Sequence, residues 1–210
     1  MYAHFFKRLI DFCIAFVALI VLFPFLLCIM VLLYFANNGA GVFFEQERIG
    51  KDDKVFKILK FKSMNDDKDK NGNWLPGKDR VTKMGRFIRA TSIDELPQLI
   101  NILKGDMALV GPRPLFVKYM PYYTKRERLR HTVRPGITGL SQVSGRNNLP
   151  LVERLELDVQ YVDKISLILD VKIMLQTVLK VLKREDVVYL PDPDKNIPLD
   201  VLRRDKVKVN

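Results

Sequence analysis

The chain begins with an apolar segment long enough to cross a bilayer. Residues 12–36 carry no formal charge. As an α-helix they would extend about 37 Å at about 1.5 Å per residue, whereas the hydrocarbon core of a bilayer is about 30 Å thick. Pro24 lies at the centre of the segment. Because proline removes a helical hydrogen bond, the sequence predicts that the helix breaks there.

The charges around this segment favour one side of the membrane for both of its ends. Lys7 and Arg8 precede it, and the chain that follows is also rich in Lys and Arg. Basic residues prefer the cytoplasmic face, so a helix that crossed the membrane would leave either Lys7 and Arg8 or the basic chain after the helix on the opposite face. We expect a re-entrant helix over residues 1–36, broken at Pro24, with a kinked transmembrane helix as the alternative.

Residues 37–190 have the pattern of a globular domain. Apolar runs at 42–46 and 55–61 predict two strands, and the polar segment 65–80 predicts a long surface loop. Segment 133–146, rich in Pro and Gly, predicts a loop with one short strand. Helices are predicted over 96–104, 119–130, 151–162 and 170–184. The expected fold class is therefore helix-rich α/β with little strand.

For two of these helices the sequence also predicts an end or a packing surface. The apolar stripe of the first predicted helix, followed by Lys104-Gly105, gives that helix a clear end. The helix over 170–184 has an apolar face with basic edges, so it packs on the domain or lies in the membrane interface. Residues 191–210 are charged, and we expect a loose C-terminal tail.

The composition narrows the possible partners. The chain has 35 Lys and Arg against 24 Asp and Glu, a formal net charge of +11, which favours an anionic partner. Nucleic acid, an acidic membrane surface and a phosphorylated substrate all qualify. Both cysteines lie in the apolar segment and there are only two histidines, so neither a disulfide scaffold nor a zinc site is indicated.

The sequence Thr91-Ser-Ile-Asp-Glu-Leu-Pro97 places two acidic residues at the start of a helix. Acidic residues commonly cap helices there, which is the ordinary interpretation of Asp94 and Glu95. The alternative is that Asp94 stays ionised and attacks a phosphorus centre, as in aspartyl-phosphate enzymes. Such an attack requires nearby positive charge, from Arg, Lys or a divalent cation.

Basic residues in the surrounding segments can supply that charge. Lys60 ends a predicted strand, and Arg113, Arg134 and Arg146 lie in loops stiffened by Pro or Gly. Arginines held in this way suit bidentate phosphate contacts, although solvated surface charge is the usual role of an arginine. Asp158, taken alone, is an exposed carboxylate on a helix.

Five motifs occur in an order and spacing that resemble the bacterial sugar transferases which initiate glycoconjugate assembly. They are KFKSM (60–64), SIDELPQL (92–99), NILKGDM (101–107), VGPRP (110–114) and VRPGITGL (133–140). More narrowly, the chain resembles the small monotopic phosphoglycosyl transferases. Their re-entrant helix breaks at a Ser-Pro pair, which is Phe23-Pro24 here.

The resemblance implies a two-step reaction. The donor would be a UDP-sugar with an N-acetylated amino sugar, and the acceptor a polyprenol phosphate such as undecaprenyl phosphate. Asp94 would attack the sugar phosphate, release UMP and carry a covalent phosphosugar, while Glu95 would assist. Mg²⁺ would bind near Asp94. Of the remaining candidates, the family links four positions to activity or phosphate binding: Lys60, Arg113, Arg146 and Asp158.

The resemblance also implies a location. The protein would be monotopic on the cytoplasmic face of the bacterial inner membrane, with 37–190 as its cytosolic catalytic domain and membrane lipids as neighbours. Nucleic acid is not an expected partner, because no aromatic platform or recognisable nucleic-acid fold is present. Two alternatives remain: a non-catalytic basic module that binds acidic lipid, and the same transfer through a direct ternary complex.

Overall fold

The computed structural model describes residues 2–145, 148–183 and 197–204, and it has the expected helix-rich α/β fold. The strands are β1 (Phe43–Ile49), β2 (Val55–Phe61), β3 (Ala108–Val110) and β4 (Gly136–Thr138). The helices are α1 (Lys7–Ala36), α2 (Gly77–Arg80), α3 (Lys83–Ala90), α4 (Gln98–Lys104), α5 (Lys125–Arg128), α6 (Leu140–Ser144), α7 (Leu151–Asp163), α8 (Leu167–Lys183) and α9 (Leu199–Leu202).

Helix α1 packs along the domain over nearly its whole length. Its buried positions recur on one face and are Lys7, Asp11, Ala15, Leu26, Ile29 and Leu33. Most of its other apolar side chains are exposed, and α1 is long and apolar enough to cross a membrane. The helix continues through Pro24, which differs from the predicted break. Leu22 and Leu26, on either side of the proline, both contact the domain, and this packing supports the helix across the missing hydrogen bond.

Both ends of α1 are joined to the same domain. Near the start, Lys7 Nζ donates to Asp170 of α8 at 2.7 Å, and Arg8 donates to backbone carbonyls in the last turn of α4. At the end, Asn37 Nδ2 donates to the backbone carbonyl of Lys62, just after β2, at 2.9 Å. Neither end of the apolar helix can therefore move away from the domain without breaking these polar contacts.

The strands form two small sheets. β1 and β2 make an antiparallel hairpin in which Phe43 pairs with Phe61 and Ile49 with Val55, so the two predicted strands are confirmed and the first is longer than expected. β3 and β4 form a short parallel pair. The hairpin places alternate residues of β1 on one face, and this face becomes one wall of the cavity described below.

The helix predictions are mostly confirmed. α4 ends at Gly105, whose φ of 96° is the left-handed conformation that glycine adopts easily. α7 and α8 occupy the predicted segments, except that Arg184 lies outside the described residues. The single helix predicted over 119–130 is wrong. Pro121 interrupts it, and Thr124 starts a separate short helix by capping Glu127.

Part of the predicted tail is not loose. Leu199 is fully buried against the apolar side chains of Tyr119, Tyr123 and Leu155. Arg203 also makes two hydrogen bonds to the buried carboxylate of Glu127, at 2.6 and 2.7 Å. The apolar contact of Leu199 and the ion pairs of Arg203 with Glu127 and of Asp200 with Lys118 thus attach residues 197–204 to the domain, which the charged composition of the segment did not indicate.

Candidate active site

A cavity of about 1060 Å³ opens beside the β1–β2 hairpin and reaches α4, α7 and α8. Four of the residues singled out in the sequence line it: Lys60, Asp94, Glu95 and Arg113. They come from the end of β2, the turn before α4 and the loop after β3. A site of this volume can hold a ligand of nucleotide-sugar size.

The acidic pair lies in the turn Ile93–Glu95, shortly before α4. Ser92 enters this turn with a left-handed φ of 56°, and Pro97 occupies the N-cap position of α4 without a side-chain cap. The ordinary interpretation of Asp94 and Glu95 as helix caps is therefore not what the structure shows. Both carboxylates face the cavity instead.

Glu95 is the carboxylate that pairs directly with the cations. Its Oε1 accepts from Lys60 Nζ at 2.6 Å and from Arg113 Nη2 at 3.2 Å. Burial by itself would raise the pKa of Glu95, but these two cations outweigh it and hold the pKa at about 2. Glu95 is therefore ionised at neutral pH, and it keeps both cations beside the cavity.

Asp94 has a different environment. Burial, and then the charge of Glu95, raise the pKa of Asp94 to about 6, although Lys60, Arg89 and Arg113 act in the opposite direction. Among the described residues Asp94 forms no direct ion pair. It is a carboxylate surrounded by positive charge but bound to none of it, which is what a nucleophile for an anionic phosphate requires.

Two predicted phosphate-binding residues do not lie in this cavity. Arg134 points to the end of α4, where its Nε donates to the carbonyl of Gly105 at 2.8 Å. Asp158 is buried behind the cavity wall, where it accepts from Arg130 at 2.7 Å and from Ser141 at 2.8 Å. Neither lines the cavity. Arg146, the third candidate, lies outside the described residues.

Asp158 supports the site indirectly. Arg130, its partner, also donates to the backbone carbonyl of Arg113. The buried pair therefore holds the Gly111–Pro114 segment that carries Arg113. The helix pattern alone gave no sign of this, because the partner of Asp158 comes from a segment 28 residues earlier in the chain.

Other cavity residues were not anticipated from the sequence. Phe44, Gln46 and Arg48 line it from alternate positions of β1, and Arg154 lines it from α7. The period of two along β1 could have placed the first three on one face once Lys60 was recognised as a site residue on the partner strand. Arg154 had no comparable local signal.

Comparison with known proteins gives the family. Residues 2–184 match the model of the bacterial sugar transferases. The chain is 53% identical to an uncharacterised sugar transferase, EpsL of Bacillus subtilis, over 71% of this chain and 74% of that protein. It is 37% identical to the exopolysaccharide production protein ExoY of Sinorhizobium fredii, over 82% and 83% of the two chains.

A third relative is larger. The UDP-glucose:undecaprenyl-phosphate glucose-1-phosphate transferase of Klebsiella pneumoniae is 42% identical over 83% of this chain, which spans only 40% of that protein. On the extent of the family match and these identities, the chain belongs to the bacterial sugar transferase family.

Proposed function

We propose that this protein transfers a sugar 1-phosphate from a UDP-sugar to undecaprenyl phosphate or a related polyprenol phosphate, with release of UMP. The observation that carries the proposal is Asp94, a carboxylate that has no direct ion pair with any described residue and lies in a cavity with Lys60, Arg89 and Arg113 around it. The named activity of the Klebsiella pneumoniae relative supports it. A non-catalytic lipid-binding module would not need a carboxylate in that position.

The proposed reaction has two half-reactions. A carboxylate oxygen of Asp94 attacks the phosphorus that bears the sugar, and the bond from this phosphorus to the UMP oxygen breaks. An oxygen of the polyprenol phosphate then attacks the same phosphorus, and its bond to Asp94 breaks. Lys60 and Arg113, held by Glu95, neutralise charge on the phosphate during both steps.

We propose Mg²⁺ as the metal, and the donor set suits it. Mg²⁺ binds oxygen ligands, commonly one or two carboxylates together with substrate phosphates. Asp94 and the second oxygen of Glu95 supply carboxylate oxygens beside Lys60 and Arg113, and no group of three metal-binding side chains occurs in the ranges described. The donor diphosphate would provide further oxygen ligands to the ion, and the ion would offset the negative charge of the diphosphate.

The sugar is proposed to be an N-acetylated amino sugar, as the resemblance to the small family members implies. The names of larger relatives instead include glucose and galactose: the Klebsiella pneumoniae transferase and the galactosyl transferase CpsE of Streptococcus agalactiae. A test of the function therefore has to offer all three kinds of donor.

We propose a monotopic arrangement on the cytoplasmic face of the inner membrane, with both ends of α1 on that side; a re-entrant path would require a bend of α1 at Pro24, where the helix is continuous in the structure. The contacts of Lys7 and Asn37 with one domain support it, because a helix that crossed the bilayer could not keep both. The outer face of α8 is also apolar and uncovered, with Ile168 and Leu182 more than 70% exposed, and it would lie in the interface beside α1.

The catalytic proposal is tested by intact-protein mass spectrometry. Detergent-purified protein is incubated with Mg²⁺ and a panel of UDP-sugars, without acceptor, beside Asp94→Asn and the surface control Asp163→Asn. A phosphosugar adduct on the wild type and the control, but not on Asp94→Asn, is expected. If no adduct forms while UMP appears only after polyprenol phosphate is added, the transfer proceeds through a ternary complex.

The topology is tested by cysteine labelling. In a background with Cys13→Ser and Cys28→Ser, the exposed positions Phe5 and Asn38 are changed to cysteine one at a time. A membrane-impermeant thiol reagent should label both in inside-out vesicles and neither in intact spheroplasts. Labelling of the two positions from opposite sides would show a spanning helix.

A further inference from the structure

Arg48 lies on the same cavity wall as Lys60, but further along the hairpin. In the hairpin, Lys60 pairs with Phe44, whereas Arg48 lies four residues further along β1, opposite Phe56. At about 3.3 Å per residue this separates the two positions by about 13 Å along the strand. Both side chains line the same cavity, Lys60 beside the acidic pair and Arg48 beyond it.

The guanidinium of Arg48 is held firmly, although not by a carboxylate. It lies 3.8 Å from the centre of the Phe116 ring, and one terminal nitrogen donates to Gln46 Oε1 at 2.6 Å. Its Nε is buried without a hydrogen-bond partner, and among the described residues it forms no ion pair. Because the side chain lines the cavity and has no counter-charge among the described residues, an anion in the cavity would provide one.

The charge of Arg48 persists in this environment. Burial, and then the neighbouring Arg113, lower the pKa of Arg48 to about 10, which leaves it cationic at neutral pH. Arg113 thus interacts with both groups, because its side chain donates to Glu95 and its charge acts on Arg48. The cavity therefore has one region in which cations pair directly with Glu95, and a second region in which Arg48 feels the charge of Glu95 but has no ion pair among the described residues.

The second region corresponds to one part of a diphosphate donor. The phosphate under attack must lie beside Asp94, and an in-line displacement places the leaving oxygen on the side away from the nucleophile. The phosphate that leaves would therefore reach past Arg113 toward Arg48. An arginine fork fixed by an aromatic ring and an amide suits such a group, because it is oriented before the ligand arrives.

We propose that Arg48 binds the phosphate of the departing nucleoside monophosphate, and that Phe116 and Gln46 orient it for this task. The inference rests on the proposed function, since it assigns a role within the first half-reaction. Arg48 would stabilise charge as the bond to UMP breaks. It would have no contact with the phosphate of the polyprenol acceptor, which enters after UMP has left.

The test separates the two half-reactions. Without acceptor, the rate of adduct formation on Asp94 and the rate of UMP release measure the first half-reaction. The decay of preformed adduct after addition of polyprenol phosphate measures the second half-reaction. For Arg48→Met we expect the first half-reaction to slow by about a hundredfold, as for loss of one charge-stabilising donor. UMP affinity should fall by a similar factor, and the second half-reaction should be unchanged.

Companion variants address folding and geometry. Arg48→Lys keeps the charge but loses the fork and should recover only part of the rate, and Phe116→Leu should reduce UMP affinity less than Arg48→Met does. Arg126→Met, which removes an exposed arginine paired with Glu156, is the matched control and should change neither half-reaction. Unfolding temperatures of all variants identify any that fail to fold.

Three results would overturn the proposal. A slower second half-reaction with an unchanged first one would assign Arg48 to the acceptor phosphate. Unchanged rates in both would show that Arg48 binds no reacting anion, and equal UMP affinity of Arg48→Met and the wild type would show the same. The UMP measurement does not depend on adduct formation, so it decides the role of Arg48 even if the wild type forms no adduct and the proposed function fails.

Discussion

Arg130 and Asp158 form an ion pair inside the domain, with Nη2 and Oδ2 2.7 Å apart and side chains no more than 3% exposed. Charges of opposite sign can remain buried in this way only as a pair. Since Arg130 also donates to the backbone carbonyl of Arg113, the pair connects α7 to the segment that carries an active-site arginine. Asp158 is thus a positioning residue behind the cavity.

Replacement of Asp158 should therefore affect stability first. Asp158→Asn leaves the guanidinium of Arg130 buried without its counter-charge, and we expect the free energy of unfolding to fall by about 3–5 kcal/mol. Denaturant unfolding in detergent measures the loss. Arg113→Ala, at a side chain that is 38% exposed, should keep nearly normal stability and lose activity. A stable Asp158→Asn protein with weakened donor binding would contradict this assignment.

Lys60 should matter for activity and little for stability. Lys60→Met removes one of the two cations that Glu95 binds and reduces the positive charge around Asp94. Adduct formation should slow by about a hundredfold, the usual effect of losing one charge-stabilising group. Lys57→Met, on the same strand but paired with Glu45 at the surface, is the control and should react normally. Equal rates for the two variants would exclude a role for Lys60.

His131 should make the stability depend on pH. Burial, and then the charge of Arg130, lower its pKa to about 4, and the neutral ring donates from Nδ1 to Asp53 at 2.5 Å. In the unfolded chain its pKa is about 6.5. Between these values the unfolded state binds a proton that the folded state does not. The stability that depends on a neutral His131 is therefore fully present above pH 6.5, and it is lost as the pH falls toward 4.

The measurement is the free energy of unfolding at a series of pH values from about 7 to about 4. Wild-type stability should decline more steeply below about pH 6.5 than that of His131→Gln, because glutamine can hydrogen-bond to the same neighbours without titrating. Parallel curves for the two proteins would show that His131 carries none of this dependence.

The docked C-terminal segment should contribute to stability. Leu199→Ala removes a fully buried side chain, and we expect a loss of about 2 kcal/mol, near the lower limit for such truncations because a terminal segment can detach instead. Val201→Ala, at a position that is 48% exposed, should change stability by less than about 0.5 kcal/mol. Equal losses from the two would show that the segment does not dock through Leu199.

Much of the local structure followed from short-range pattern. The apolar runs at 42–46 and 55–61 predicted the two strands, and the apolar stripe ending at Gly105 predicted α4, because both patterns depend on neighbours in the chain. The helix predicted over 119–130 failed for an equally local reason. Pro121 removes a hydrogen bond and Thr124 offers a new cap, so one continuous helix does not form.

The motifs were sufficient to single out Asp94, Glu95, Lys60 and Arg113, because the order of residue types along the chain carries the family resemblance. Which of these groups bind each other depended on the folded chain. Glu95, rather than Asp94, holds Lys60 because the end of β2 lies beside the turn before α4. Contacts between residues 35 apart leave no periodic signal in a sequence.

The remaining assignments needed long-range packing for the same reason. Arg134 and Asp158 have residue types that suit phosphate binding, but their partners at Gly105 and Arg130 come from other segments and draw them away from the cavity. Arg48 was not singled out from the sequence, because its place in the cavity depends on the pairing of β1 with the strand that carries Lys60. Residue type and spacing are local properties and specify elements and candidate chemistry, whereas burial and charge pairing arise only when distant segments meet.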